Sequence, residues 1–279
     1  MGKKKKASSN ALEVQNAAKT LFANIRFMSP DAPLKSIALT SSVPNEGKST
    51  TAVELARAIA TSGKRTLLVD LDQQMNATQQ AKIDTTDEVT VYDLLTSFDY
   101  TAKDGIKHFD GGDIIPGDVL VSNAESDMAK LDTRLTMLAD AMEGIDDDYD
   151  YAIIDCPPSL GLVTRNAMVA ADELIVPVIP NRSSLKGFTN IQKCVNSVRR
   201  NKRLNPNLRI AGIVVNMFDG RTSLSRGVVN ELPSIARAAN TKMFNTIIRK
   251  CEAVNKAQSA NVSIFDYDPN CNAVADFTD

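Results

Sequence analysis

The residues best suited to chemistry form the stretch Ser42-Val43-Pro44-Asn45-Glu46-Gly47-Lys48-Ser49-Thr50. It follows an apolar run over residues 37–41 and opens a helical pattern that continues to about residue 62, where Gly63 is placed to terminate it. A loop between a strand and a helix turns successive backbone N–H groups, together with the helix N-terminus, toward anionic oxygens. In such a phosphate cradle Asn45, Glu46 and Gly47 form the loop. Lys48 neutralises the β- and γ-phosphates, the Ser49 hydroxyl ligates Mg²⁺, and Thr50 assists the α-phosphate. Ser42 stands where the first glycine of a Walker A loop usually lies.

Two further segments carry acids suited to the same chemistry. Arg65-Thr66-Leu67-Leu68-Val69-Asp70-Leu71-Asp72 reads as a buried strand ending in two carboxylates. Tyr151-Ala152-Ile153-Ile154-Asp155-Cys156-Pro157-Pro158 reads as another strand, ending in one. In a parallel sheet the C-terminal strand ends share the ligand side, so these acids and the loop are expected together. Carboxylates there can support Mg²⁺ through water and orient an attacking water.

The elements that must position these groups are short apolar runs alternating with helical patterns. The runs cover residues 36–41, 65–70, 113–116, 151–155, 173–178, 209–216 and 243–248. Several are apolar on both faces, as strands buried between helical layers require. The alternation predicts an α/β fold with a doubly wound, mostly parallel sheet flanked by helices, and the phosphate loop makes it of the P-loop NTPase type. Residues 1–10, with Lys3 to Lys6, read as a flexible basic tail, and a helix is expected over residues 11–27. No linker divides the rest, so residues 11–279 are expected to form a single ATPase domain.

Composition sets the outer limits. The chain has 279 residues, 43% hydrophobic content and a formal charge of −2, which excludes a disordered or collagen-like chain. The longest apolar stretch falls far short of the roughly 20 residues of a membrane helix, and no apolar targeting segment follows the start, so a cytoplasmic protein is expected. Cys156, Cys194, Cys251 and Cys271 are widely spaced and His108 is the sole histidine, a pattern that argues against zinc and for free thiols. The near-neutral total conceals a division. Residues 84–150 hold 18 acids and 4 bases, whereas residues 181–250 hold 14 bases and 2 acids. A basic surface for nucleic acid is therefore compatible with the composition, as are two solvated faces.

The loop with Lys48, the Asp70-Leu71-Asp72 pair and the Asp155-Cys156-Pro157-Pro158 turn resemble the deviant-Walker ATPases, which include ParA, MinD and the bacterial tyrosine kinases. The ParA branch is the most similar overall. Residues 68–78 resemble its switch segment, with Gln73 in place of proline and Met75 in place of glycine. Val91-Tyr92-Asp93-Leu94-Leu95, the stretch from Met217 through Arg221 to Arg226, and Ile264-Phe265-Asp266-Tyr267-Asp268-Pro269 are also similar to ParA. The N-terminal part, from Glu13 through the phosphate loop, leans toward the tyrosine kinases of polysaccharide synthesis, although their C-terminal tyrosine cluster has no counterpart in the last twelve residues.

The resemblance implies an ATPase for plasmid or chromosome partition, with ATP and Mg²⁺ as cofactors and slow hydrolysis. Lys48 and Asp72 would be catalytic, Asp72 acting on the water. Ser49, Asp70 and Asp155 would serve the metal, and Asn216 and the loop around Pro269 would recognise adenine. It further implies a nucleotide-dependent homodimer, non-specific DNA binding on the nucleoid, release by a ParB-like adaptor, and no stable membrane anchor. Arg221, Arg226, Arg249 and Lys250, in the basic half, are the expected DNA contacts. Alternatives are a tyrosine-kinase-like ATPase and a MinD-like positioning ATPase. Val43 occupies the position of the family's signature lysine, five residues before Lys48.

Overall fold

The computed structural model describes residues 36–274, except 42, 146, 261, 263 and 273. The expected tail over residues 1–10 and helix over residues 11–27 lie outside this range.

The strands are β1 (Ser36–Leu39), β2 (Thr66–Asp70), β3 (Lys107–Phe109), β4 (Gly112–Ile115), β5 (Tyr151–Asp155), β6 (Glu173–Val178), β7 (Arg209–Phe218) and β8 (Met243–Arg249). They form one eight-stranded sheet in the order β3-β4-β2-β5-β1-β6-β7-β8. Every neighbouring pair is parallel except β3–β4. All seven expected runs are strands, and the sheet is mostly parallel as expected.

The reason lies in the side-chain alternation. Ile37 and Leu39 of β1 and Leu68 of β2 pack into one core, while Ala38, Leu67 and Val69 pack into the other. The same alternation recurs in β5, where Ile153 and Ile154 enter opposite cores. A strand apolar at every position can bury both faces only between two layers of helices. Each fully buried Leu or Ile contributes roughly 1.5–3 kcal/mol, so the central strands are held from both sides.

One layer contains α1 (Lys48–Thr61), α2 (Asn76–Ala81), α10 (Glu252–Ser259) and α11 (Ile264–Tyr267). The other contains α3 (Val91–Thr96), α5 (Val121–Met128), α6 (Met137–Ala141), α7 (Leu162–Ala170), α8 (Arg182–Arg200) and α9 (Ser223–Ala238). The short α4 (Ala102–Gly105) leads into β3. Helix α1 ends as expected. Gly63 adopts φ +84° and its N–H donates to the Ala60 carbonyl at 2.9 Å. Left-handed geometry there suits glycine, which has no Cβ to collide with the following backbone.

Much of the acidic segment serves local structure. The Asp93 carboxylate accepts from the Thr90 N–H at 2.9 Å and caps α3; Asp104 accepts from the Thr101 N–H at 2.8 Å and caps α4. Each satisfies backbone donors that a helix N-terminus leaves open, where negative charge is also favoured. Other acids tie elements together: Asp110 pairs with Arg57 of α1 at 3.0 Å and Asp148 with Lys103 at 3.1 Å.

Candidate functional site

β1, β2, β5, β7 and β8 all end on one edge of the sheet, where a cavity of about 540 Å³ opens. Asn45, Gly47, Lys48, Ser49 and Thr50 line it from the loop and α1, Asp72, Gln74 and Asn76 from the segment after β2, Met217 from the end of β7 and Lys250 from just beyond β8.

The loop is held by contacts behind it. Gly47 adopts φ +77°, and a Cβ there would sit 2.2 Å from the Asn216 amide nitrogen, so only glycine fits. Lys48 is buried, and its ammonium donates to the Ser41 hydroxyl at 3.0 Å. That hydroxyl in turn donates to the Val43 carbonyl at 2.8 Å, so Val43 takes part through its backbone. The Glu46 side chain points away from the cavity and is buried. Its carboxylate accepts from the Ser184 hydroxyl and from the Ile179 N–H, tying the loop to the start of α8. Glu46 can therefore serve a nucleotide only through its backbone.

The three acids do different things. Asp155 is fully buried and neither carboxylate oxygen has a hydrogen-bond partner of good geometry. Burial first, then the neighbouring Asp70, push its pKa well above the usual carboxylate range, while Ser49 and Lys48 oppose that shift. A buried carboxylate left this way is costly unless a cation completes it. With the Ser49 hydroxyl beside it, the arrangement fits Mg²⁺, which takes one or two protein oxygens and completes its shell from water and phosphate.

Asp70 is saturated. It accepts from the Thr78 N–H and Thr78 hydroxyl, both at 2.8 Å, and from the Asp72 N–H at 3.2 Å. Thr78 then accepts from the Gly117 N–H at 2.8 Å. Burial raises the Asp70 pKa to about 6 against these hydrogen bonds. Asp70 thus fastens the segment after β2 to the loop after β4; like Asp155, it lies behind the cavity rather than among its lining residues. Asp72 does line the cavity, with one oxygen accepting from the Gln74 N–H at 3.0 Å. The backbone that delivers it is strained at Met75, where φ is +54°.

The residues expected to contact adenine are not on the cavity wall. The Asn216 carboxamide donates to the Glu46 carbonyl at 2.8 Å and accepts from the Met217 N–H at 2.9 Å. It is buried behind the loop, and Pro269 sits in the turn after α11; among the described residues neither lines the cavity. Met217, which sequence reasoning did not single out, takes the wall position, with φ +52°.

The basic half forms an outer face. Helix α8 buries Ser184, Gly187, Phe188, Ile191, Cys194, Val195 and Val198 along one stripe, leaving Arg182, Lys186, Lys193, Arg199 and Arg200 exposed. Arg182 and Lys186 line a groove with Ser223, Leu224 and Gly227 at the start of α9. Arg221 is exposed but clasped by Asp219, with nitrogen–oxygen distances of 2.9 and 2.8 Å. That guanidinium holds the Asp219 carboxyl down to about 2. Arg226 is also exposed and donates to the Gly220 carbonyl at 2.6 Å, while Arg249 donates to the Asn272 carbonyl at 3.3 Å. Lys250 lies on the cavity wall.

Comparison with known proteins bears on this geometry. A family model described as an AAA domain matches residues 34–210. The chain is 38% identical over 238 residues to the sporulation initiation inhibitor protein Soj of Bacillus subtilis, covering 84% of this chain and 92% of that protein. It is 35% identical over 243 residues to the chromosome partitioning protein ParA of Caulobacter vibrioides, covering 86% and 89%. Among solved structures, cobyrinic acid a,c-diamide synthase from Mycobacterium smegmatis, with a bound ATP analogue and magnesium, superposes with a TM-score of 0.71. The match has 26% identity and covers 84% of this chain and 92% of that one. A phosphate loop on the central strand of this sheet, with identities of this size over most of the Soj and ParA chains, leads to one assignment: the chain belongs to the ParA/Soj/MinD family of P-loop ATPases.

Proposed function

We propose that this protein is a Mg²⁺-ATP-dependent DNA-partition ATPase. The observation that carries this reading is the cavity in which Lys48, Ser49 and Asp72 meet at a phosphate loop, with the buried Asp155 carboxylate at the end of β5 beside Ser49. Lys48 and the loop N–H groups hold the phosphates, and Ser49 and Asp155 hold Mg²⁺, which when bound neutralises charge on the phosphate oxygens. Asp72 orients the attacking water, and Asp70 keeps Asp72 in place through Thr78. ATP favours a homodimer that coats DNA, and a ParB-like adaptor stimulates hydrolysis and releases it. The exposed cations of α8 with Arg221 and Arg226 engage the DNA backbone without reading sequence. The similarity to the chromosome partitioning protein ParA of Caulobacter vibrioides supports partition as the purpose of the cycle.

The test is Lys48→Ala. The variant is expected to lose nucleotide binding, phosphate release and ATP-dependent DNA retention together. DNA binding equal to wild type at matched salt overturns the switch. Phosphotyrosine formed on incubation with ATP would instead place the chain with the kinases.

A further inference from the structure

We propose that Lys250 is a nucleotide-binding residue: a second cation, beside Lys48, that holds the α-phosphate and ribose end of the bound nucleotide. This rests on the nucleotide reading above.

The strand order supplies the direction. Along the ligand edge, the segments after β2 and β5 deliver Asp72 and Pro158 on one side of the β1 loop, and β7 and β8 deliver Met217 and Lys250 on the other. One cavity includes both walls. A nucleotide whose terminal phosphate meets Lys48 and lies toward Asp72 must extend toward β7 and β8. Lys250 therefore lies where the α-phosphate and ribose pass.

The backbone fixes the starting point of that side chain. The Lys250 N–H donates to the Phe218 carbonyl at 2.9 Å, continuing the β7–β8 ladder in which Phe218 faces Arg249. Successive residues of an extended chain point to opposite sides. Arg249 turns to the Asn272 carbonyl and Lys250 to the cavity. Lys250 is exposed, and among the described residues its ammonium has no ion-pair partner. Asp219, the acid that feels its charge, is clasped by Arg221. Position 43 is valine, so the loop itself presents Lys48 as its cation. A polyphosphate carries more negative charge than one ammonium balances, and the aliphatic stem of a lysine can lie against a sugar while its head meets phosphate.

The experiment titrates Mg²⁺-ATP and Mg²⁺-ADP into the full chain without DNA, comparing wild type, Lys250→Met, Lys250→Arg and Lys48→Ala. Lys250→Met is expected to weaken both nucleotides roughly fivefold and equally, the upper range for a solvent-exposed charge pair. The deficit should shrink as salt rises, KM should rise with kcat unchanged, and Lys250→Arg should restore binding. Wild-type affinity in Lys250→Met, while Lys48→Ala loses binding, overturns the proposal. So does a loss confined to DNA binding, which would return Lys250 to the DNA face. Wild-type affinity in Lys48→Ala overturns the nucleotide reading itself.

Discussion

Asn216 shows how one side chain can serve a site without facing it. Its carboxamide bridges the Glu46 carbonyl and the Met217 N–H, and it fills the space a Gly47 side chain would need. Replacing it with alanine leaves the Glu46 carbonyl unsatisfied behind the loop, a cost of about 1–3 kcal/mol. Asn216→Ala is therefore expected to weaken ATP and GTP by the same factor, roughly tenfold or more, in parallel titrations. A loss confined to ATP would mean base recognition instead. The placement of Lys48 and Ser49 on the cavity wall was legible in the sequence because the loop, the strand before it and the helix after it are contiguous. The position of Asn216 was not, since its partner lies 170 residues away. Its strand-end placement was readable; the choice between cavity and loop was made by tertiary packing.

At the scale of elements, the segment after β2 hangs on one chain of hydrogen bonds, from Asp70 to Thr78 to the Gly117 N–H. Thr78→Val keeps the shape but removes the hydroxyl that links α2 to the turn after β4. The variant is expected to lose about 1–3 kcal/mol of stability in denaturant unfolding. It should lower kcat while leaving ADP affinity unchanged, because Asp72 is loosened and the phosphate loop is not. Equal kcat would separate Asp72 from this chain. The strands that flank the site were readable from their unbroken apolar runs. β3 was not, because it has three residues, one of them the exposed His108, and gains its place by pairing antiparallel with β4. The signal that could have found it is Asp110-Gly111, the two residues between Phe109 and its partner Gly112 and a favoured hairpin turn.

Over the whole molecule, the formal charge of −2 resolves into acids that cap helices and tie elements and bases that line the outer face of α8 and the approach to α9. Counting charge revealed the division but not its use, since capping depends on where each helix begins. Arg209 pairs with Glu173 at 2.8 Å and Arg221 with Asp219, so the described partners of these bases lie outside the acidic segment. If the outer face binds DNA, Arg226→Ala should lower affinity uniformly across sequences and reduce the slope of log affinity against log salt by about 0.9 for each phosphate that Arg226 neutralises. An unchanged slope in binding titrations would remove Arg226 from that face. The bond from Ser184 to Glu46 gives this surface a further property. Ser184 lies in the first turn of α8, between Arg182 and Lys186, and Glu46 lies in the phosphate loop, so a buried hydrogen bond joins the two into one piece of structure. A coupling through such a piece has no preferred direction. By whatever factor a nucleotide in the loop strengthens the hold of α8 on an anionic polymer, the polymer must strengthen the hold of the loop on the nucleotide.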